Sequence, residues 1–325
     1  MRPIRYILAG RPKFLTRNIA LLAVLANAGQ ADARPAKPLP PPTGELRLDM
    51  SDPVIEVRIG SVPLRLRVGL EQKRLIELNP EAADQLAAHP PDRHFRFESG
   101  HDAEVGRVML HEILAAAPIH INDRDMIVTV ASHGRDCCEG VDGEIGIGLL
   151  PYATIRFVRA GAPVASRRTE LLLEEDEERG PQASFALDRS TLFVQLSLTR
   201  PASVATASAG VLLARTYGGR LEGEARSIAA FDIDRPVSML TLQRQAQLAG
   251  FAFRQIPVRI ADFAGNLSFP ADPAESGDIV VKRRVSQQRA WPVLLIGRDR
   301  LDACSEILFE TSVHRLTLSC AEPAQ

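Results

Sequence analysis

The sequence predicts a mostly β chain built as two similar lobes, and three observations carry that prediction. A stretch at 68–89, VGLEQKRLIELNPEAADQLAAH, is echoed at 231–250, FDIDRPVSMLTLQRQAQLAG. In each, an apolar strand enters a short charged loop, recovers an apolar pair and runs into an Ala/Leu/Gln-rich turn of helix. Each is followed by an apolar run closed by glycine, Glu144-Ile145-Gly146 and Leu295-Ile296-Gly297. Beyond these come Leu149-Leu150 or Leu301 and a strand carrying Ile155-Arg156-Phe157 or Ile307-Leu308-Phe309. The spacing is similar, with 77 residues from Gly69 to Gly146 and 65 from Asp232 to Gly297. Repetition of this kind fixes an architecture before any single motif does. Here it predicts an internal duplication.

The N-terminus has its own logic. Arg2, Arg5, Arg11, Lys13 and Arg17 precede an apolar core from Ile19 to Ala26, and small residues suited to cleavage follow at Ala28 and Ala33. This pattern predicts a secretory signal over residues 1–33 and export to the periplasm. The apolar run is far short of the roughly 20 residues a spanning helix needs, so no transmembrane segment is expected after cleavage. Residues 34–44 hold Pro35, Pro38, Pro40, Pro41 and Pro42, a tether of extended polyproline character. The 325 residues, with 45% apolar and 24% charged side chains and a net charge of −1, suit a folded protein of two lobes. Near-neutral charge and few aromatics give no footing for nucleic acid.

From Leu46 the pattern alternates. Val54, Val57 and Ile59, then Leu64, Leu66 and Val68, flank Gly60-Ser61 with Arg65 and Arg67 on the opposite face, which predicts a β-hairpin. Pro80 opens a predicted helix over 80–88, where a missing N–H costs nothing. Residues 94–130 read as strands with turns at Gly100 and Gly106, and Ile145–Leu150 as the strand that closes the first lobe. The charge run at 170–178 reads as a solvated connection, placing lobes at 45–180 and 181–325. In the second lobe, Leu192–Leu198 alternates, Ile228–Ile233 leads into the charged loop, Leu240–Ala249 is the matching helix and Val293–Ile296 a buried strand.

In an exported chain the four cysteines permit disulfides. Cys304 and Cys320 flank the last strand pair and are expected to bond. The adjacent Cys137 and Cys138 could join each other, or one could pair elsewhere. Five histidines fall between His94 and His133 without tight ligand spacing, so no metal and no cofactor is predicted.

This order of parts resembles the pepsin/retropepsin superfamily of aspartic proteases, in which each lobe carries a strand, an Asp-Thr-Gly loop, a small helix and an apolar-apolar-Gly strand threading past the loop. The resemblance implies a bilobal acid-protease β-barrel fold and a cleft between lobes. At the loops the chain reads Gly69-Leu70-Glu71 and Asp232-Ile233-Asp234, with Gly146 and Gly297 on the threading strands. The family's chemistry needs two carboxylates sharing one proton. Gly69 lacks the first, and Leu70 and Ile233 lack the loop hydroxyls. An altered dyad of Asp232 with Glu71 is one alternative; Asp232 and Asp234 lie about 7 Å apart on one strand face, too far to share a proton. Otherwise these acids are solvated or paired with Arg74 and Arg235. The resemblance therefore implies an aspartic-protease-like, catalytically inactive protein with a peptide or protein partner in its cleft, since extended strands can add a ligand backbone to a sheet edge. An active endopeptidase built on Asp232 and Glu71 is the alternative.

Overall fold

Alternation of buried and exposed residues builds the first half strand by strand. The computed structural model describes residues 41–105, 108–162, 164–176, 179–228, 231, 233–260 and 291–321. The expected signal sequence, residues 34–40 of the tether, Gly106 and Asp232 lie outside them. Strands β1 (Glu45–Asp49), β2 (Val54–Ile59) and β3 (Val62–Gly69) come first. In β3, Val62, Leu64, Leu66 and Val68 are buried while Pro63 and Arg65 face outward, as a period of two requires. Then follow β4 (Leu75–Leu78), α1 (Pro80–Ala88), β5 (Glu98–Val105), β6 (Val108–Ile121), β7 (Arg124–Ser132) and β8 (Gly143–Gly146). The predicted hairpin and helix are both present, with Pro80 at the start of α1.

Pairing closes six of these strands into a barrel. The order is β2-β3-β8-β4-β7-β6, with Arg58 and Ile59 of β2 returning to His120 and Ile119 of β6. Two relations define its centre. Strand β8 runs parallel to β3, so that Gly69 stands beside Gly146, and antiparallel to β4, which is itself parallel to β7.

The second half repeats those relations. After β9 (Thr154–Val158) and β10 (Arg167–Asp176) come β11 (Gly180–Leu187), β12 (Ser190–Leu196), β13 (Val204–Ala205), α2 (Ala207–Tyr217), β14 (Gly219–Ile228), β15 (Asp234–Leu248), β16 (Phe251–Arg259) and β17 (Val293–Ile296). Strand β17 runs parallel to β12, with Leu196 beside Ile296, and antiparallel to β13, which is parallel to β16. Helix α2 is tied into this arrangement by Thr206. Its hydroxyl accepts from the N–H of Ala209 at 3.2 Å and of Val293 at 3.0 Å, and donates to the Trp291 carbonyl. The short helix α3 (Arg298–Leu301), β18 (Cys304–Glu310) and β19 (Arg315–Cys320) end the described chain, and β1, β9, β18, β19 and β10 form one continuous run of the larger sheet. The Cys304–Cys320 disulfide joins facing residues of β18 and β19. One contiguous core runs through both halves, from Leu66 and Ile145 to Val194, Leu294 and Phe309.

Five expectations are corrected. The expected helix Leu240–Ala249 is strand up to Leu248: Leu240, Leu242, Ala246 and Leu248 are buried at even spacing, a period of two that the Gln- and Leu-rich composition disguises. Strand β12, not Ile228–Ile233, is therefore the one that β17 threads beside. Strand β8 stops at Gly146, and Ile147–Leu149 form a 3-10 turn. Much of the acidic run belongs to β10, where Leu171–Leu173 supply an apolar centre and the register with β19 is continuous. Gly100 sits at an irregularity inside β5 rather than at a turn.

Leu66 is fully buried and Leu172 is 72% exposed. Urea unfolding should accordingly show a loss of about 2–5 kcal/mol for Leu66→Ala and a change within about 0.5 kcal/mol for Leu172→Ala.

Candidate functional site

The parallel pairings β3–β8 and β12–β17 each leave a loop at their end, and these two loops and the strands beside them make the site. The first runs from Gly69 to Arg74. Its backbone packs on Gly146, where a Cβ would stand 1.9 Å from the Lys73 carbonyl oxygen. The second runs from Ser197 to Ser203 and packs on Gly297, where a Cβ would meet the Ala202 carbonyl at 2.6 Å. Both glycines singled out in the sequence thus have the same task, close approach of a loop backbone. The second loop is further tied to α3: Ser203 donates through its N–H and its hydroxyl to Asp299 Oδ1, both at 2.7 Å, and the Arg298 N–H donates to the Arg200 carbonyl at 2.8 Å.

At the first position of each loop the side chains differ. Gly69 has none, and Leu70 behind it is buried. The space above Gly69 is filled from the neighbouring strand: a Cβ on Gly69 would lie 1.8 Å from Oε1 of Glu144. In β8, Ile145 points into the barrel while Glu144 projects to the other face and lays its carboxyl over the gap. The equivalent position of the second loop is Ser197, whose N–H donates to the Ile296 carbonyl at 2.9 Å. Its fully buried hydroxyl hydrogen-bonds the Glu71 carboxylate and accepts from the Arg200 N–H at 3.1 Å. Glu71 therefore reaches across to the second loop, and its Oε2 is buried with no hydrogen-bond partner among the described residues.

Both acids so placed have raised pKa values. Burial pushes the Glu71 carboxyl above its ordinary range, against the pull of Ser197 and of the Arg200 charge. Burial, and then the charge of Glu71, push Glu144 up to about 8, although Arg200 and Arg67 oppose the shift. The cation acting on Glu71 is Arg200, not the expected Arg74, which pairs with Glu175 at 3.1 Å.

Next to Glu144 lies a surface loop that carries the Cys137–Cys138 disulfide. Asn79, at the N-cap of α1, caps no helix N–H. It donates from Nδ2 to the carbonyls of Cys138 and Val141, both at 2.8 Å, and accepts the Cys137 N–H at 2.9 Å. His133 opens the same loop. Its Nδ1 lies 2.9 Å from Glu77 and its Nε2 3.8 Å from Glu112, while its ring packs 4.9 Å from that of Phe231. Burial draws its pKa down, but the bond to and charge of Glu77, with Glu112, leave it above the ordinary histidine value. His111 and His120 pair with Asp102 and Asp125 at the surface. Among the described residues no group of three His, Cys, Asp or Glu is arranged to hold a metal.

The expected second loop is elsewhere. Ile233 is buried against Leu110 in a small cluster with Val108 and Phe231, and Asp234 opens β15 with its carboxylate 3.3 Å from Arg226. The structure brings Glu71 to Ser197 and Arg200. Ser197 and Asn79 were not singled out in the sequence, and Glu144 and His133 entered there only within a glycine-closed run and among scattered histidines. A signal for Ser197 existed in the Leu192–Leu198 alternation, which contains it.

Comparison with known proteins adds little. No family model and no curated protein matches the chain. Solved chains do, among them a retroviral aspartic protease, the EIAV protease complexed with the inhibitor HBY-793. It has 12% identity and a TM-score of 0.23, over 29% of this chain and 81% of that one. A likeness at that level is weak.

Because the native state keeps the Glu144 proton up to about pH 8 while an unfolded glutamate loses it near 4.5, the native state binds more protons between those values. Stability should fall as pH rises across that window, by at most about 1.4 kcal/mol per unit for one proton. Glu144→Gln should flatten the slope in urea titrations. Gly69→Ala should destabilise by displacing the carboxyl, and in combination with Glu144→Ala should cost less than the two single changes added, by about 0.5–3 kcal/mol.

Proposed function

We propose that this chain is an exported aspartic-protease-like protein, duplicated into lobes at 45–180 and 181–325, that binds an extended peptide or protein segment between them without cleaving it. The observation that carries the reading is one of register. Strands β8 and β17 run parallel to β3 and β12; Gly69 ends the first pairing beside Gly146, and Ser197 follows the second. Neither position offers the aspartate that the resemblance requires. Two disulfides are the chemistry of an oxidising compartment, which supports export. Among the described residues no helix is long and apolar enough to cross a membrane.

A second reading has one observation in its favour. Glu144 stands over Gly69 and interacts with Glu71, so two acids remain near the junction to serve a peptidase with an altered pair. In that reading Glu71 acts with Glu144, or with Asp232 as the sequence suggests.

The test uses the mature chain and a fluorescent library of extended peptides between pH 4 and 8. Saturable binding with no new N-termini is the expected result, unchanged by Asp232→Asn. Cleavage with an acid optimum, lost in Glu71→Gln or Asp232→Asn, would establish the peptidase instead.

A further inference from the structure

The two disulfides differ in every respect that separates a staple from a reactive bond. Cys304 and Cys320 are buried, face each other across β18 and β19, and lie 16 residues apart. Cys137 and Cys138 are neighbours in sequence. A cross-link stabilises chiefly by closing a loop of the unfolded chain, and one between adjacent residues closes almost none. The loop that carries it is already held without it. Asn79 binds both sides of the pair, the Arg65 N–H donates to Asp142 Oδ2 at 2.7 Å, and Arg67 Nη2 donates to the Glu139 carbonyl at 3.0 Å. Stability does not account for this bond.

Its surroundings suit exchange chemistry. Cys137 is half-buried in a loop whose flanking residues, 134–136 and 139–140, are exposed. Cys138 is buried, and its Sγ lies 3.7 Å from Oε2 of Glu144. The attacked sulfur and the departing sulfur are thus distinguished, and an acid stands beside the second. We propose that Cys137–Cys138 is a thiol–disulfide exchange site for an external dithiol, with Glu144 as the proton donor to the leaving sulfur of Cys138.

The step balances as follows. A thiolate of the dithiol, its proton released to solvent, attacks Cys137 Sγ. The Cys137–Cys138 bond breaks, and Cys138 Sγ departs with the bonding pair and takes the proton of Glu144. The reagent's second thiolate then attacks its own sulfur in the mixed disulfide. Cys137 is released and protonated from solvent, the reagent leaves oxidised as a disulfide, and Glu144 recovers a proton from solvent. Departure of a sulfur is easier when it need not leave as a free anion. A carboxyl held near 8 is close to the ordinary thiol value of about 8.5, so the transfer is nearly balanced. Facing Glu144 are Glu71 and Glu77, which hold the proton on, and Arg200 and Arg67, which draw it off. The inference does not depend on the peptide-binding reading.

The experiment treats the full mature chain with graded dithiothreitol, traps thiols by alkylation and locates them by mass spectrometry. Alkylation of Cys137 and Cys138 at reductant levels that leave Cys304–Cys320 intact is the expected result. With Glu144→Gln the rate at pH 7 should fall by about tenfold or more, and the decline in acid-assisted rate as pH passes 8 should vanish. Reduction of both disulfides together, or of Cys304–Cys320 first, would overturn the site. A Glu144→Gln rate equal to wild type from pH 6 to 9 would remove Glu144 from it. If that variant does not fold, the order of reduction in the wild-type chain still decides the main claim.

Discussion

Two parallel strand pairings, Gly69 beside Gly146 and Leu196 beside Ile296, set the geometry on which the junction depends. A parallel pair cannot be closed by a tight turn, so the chain must leave β3 and β12 through loops and return much later to lay β8 and β17 alongside. Those loops pack on glycines because any Cβ at Gly146 or Gly297 would strike their backbones. Everything polar at the centre hangs from that frame. Glu71 is carried to Ser197, and Glu144 is lifted over Gly69.

The vacancy at Gly69 has a definite chemical consequence. A side chain at that position would occupy the volume now held by the Glu144 carboxyl, so the residue at 69 and the residue at 144 are alternatives for one space. The acid that fills it comes from the middle of a strand, deep enough that burial outweighs two nearby arginines and keeps it protonated near neutrality. A neutral carboxyl beside a second raised carboxyl, a buried hydroxyl and a disulfide is a proton store. It serves the neighbouring Cys138 sulfur more directly than it serves a bond laid across the junction.

The sequence made local elements legible wherever the period was clean. The β2–β3 hairpin, α1 and the pairing of Cys304 with Cys320 were read from alternation, a proline and position along the chain. The second loop was misread because spacing was matched instead of register. Gly69 lies 77 residues before Gly146, and Asp232 lies 65 before Gly297, while Ser197 lies 100 before it. The excess lies between β16 and β17, where 33 residues intervene against 10 between β7 and β8, and the polar Gln243-Arg244-Gln245 stretch of β15 imitated a helix. Glu144 was invisible for another reason. A glutamate in an apolar strand announces nothing until the fold shows that the residue opposite is a glycine.

The measurement that bears most directly on this account is a carbon-13 NMR titration of the glutamate side-chain carboxyls, with Glu71→Gln and Glu144→Gln used for assignment. Glu144 should titrate near pH 8, Glu71 should titrate above the ordinary carboxylate range, and Glu71→Gln should lower the Glu144 pKa. Two independent titrations near 4.5, indifferent to each other, would contradict it, for they would place both carboxyls in water and leave the space at Gly69 empty.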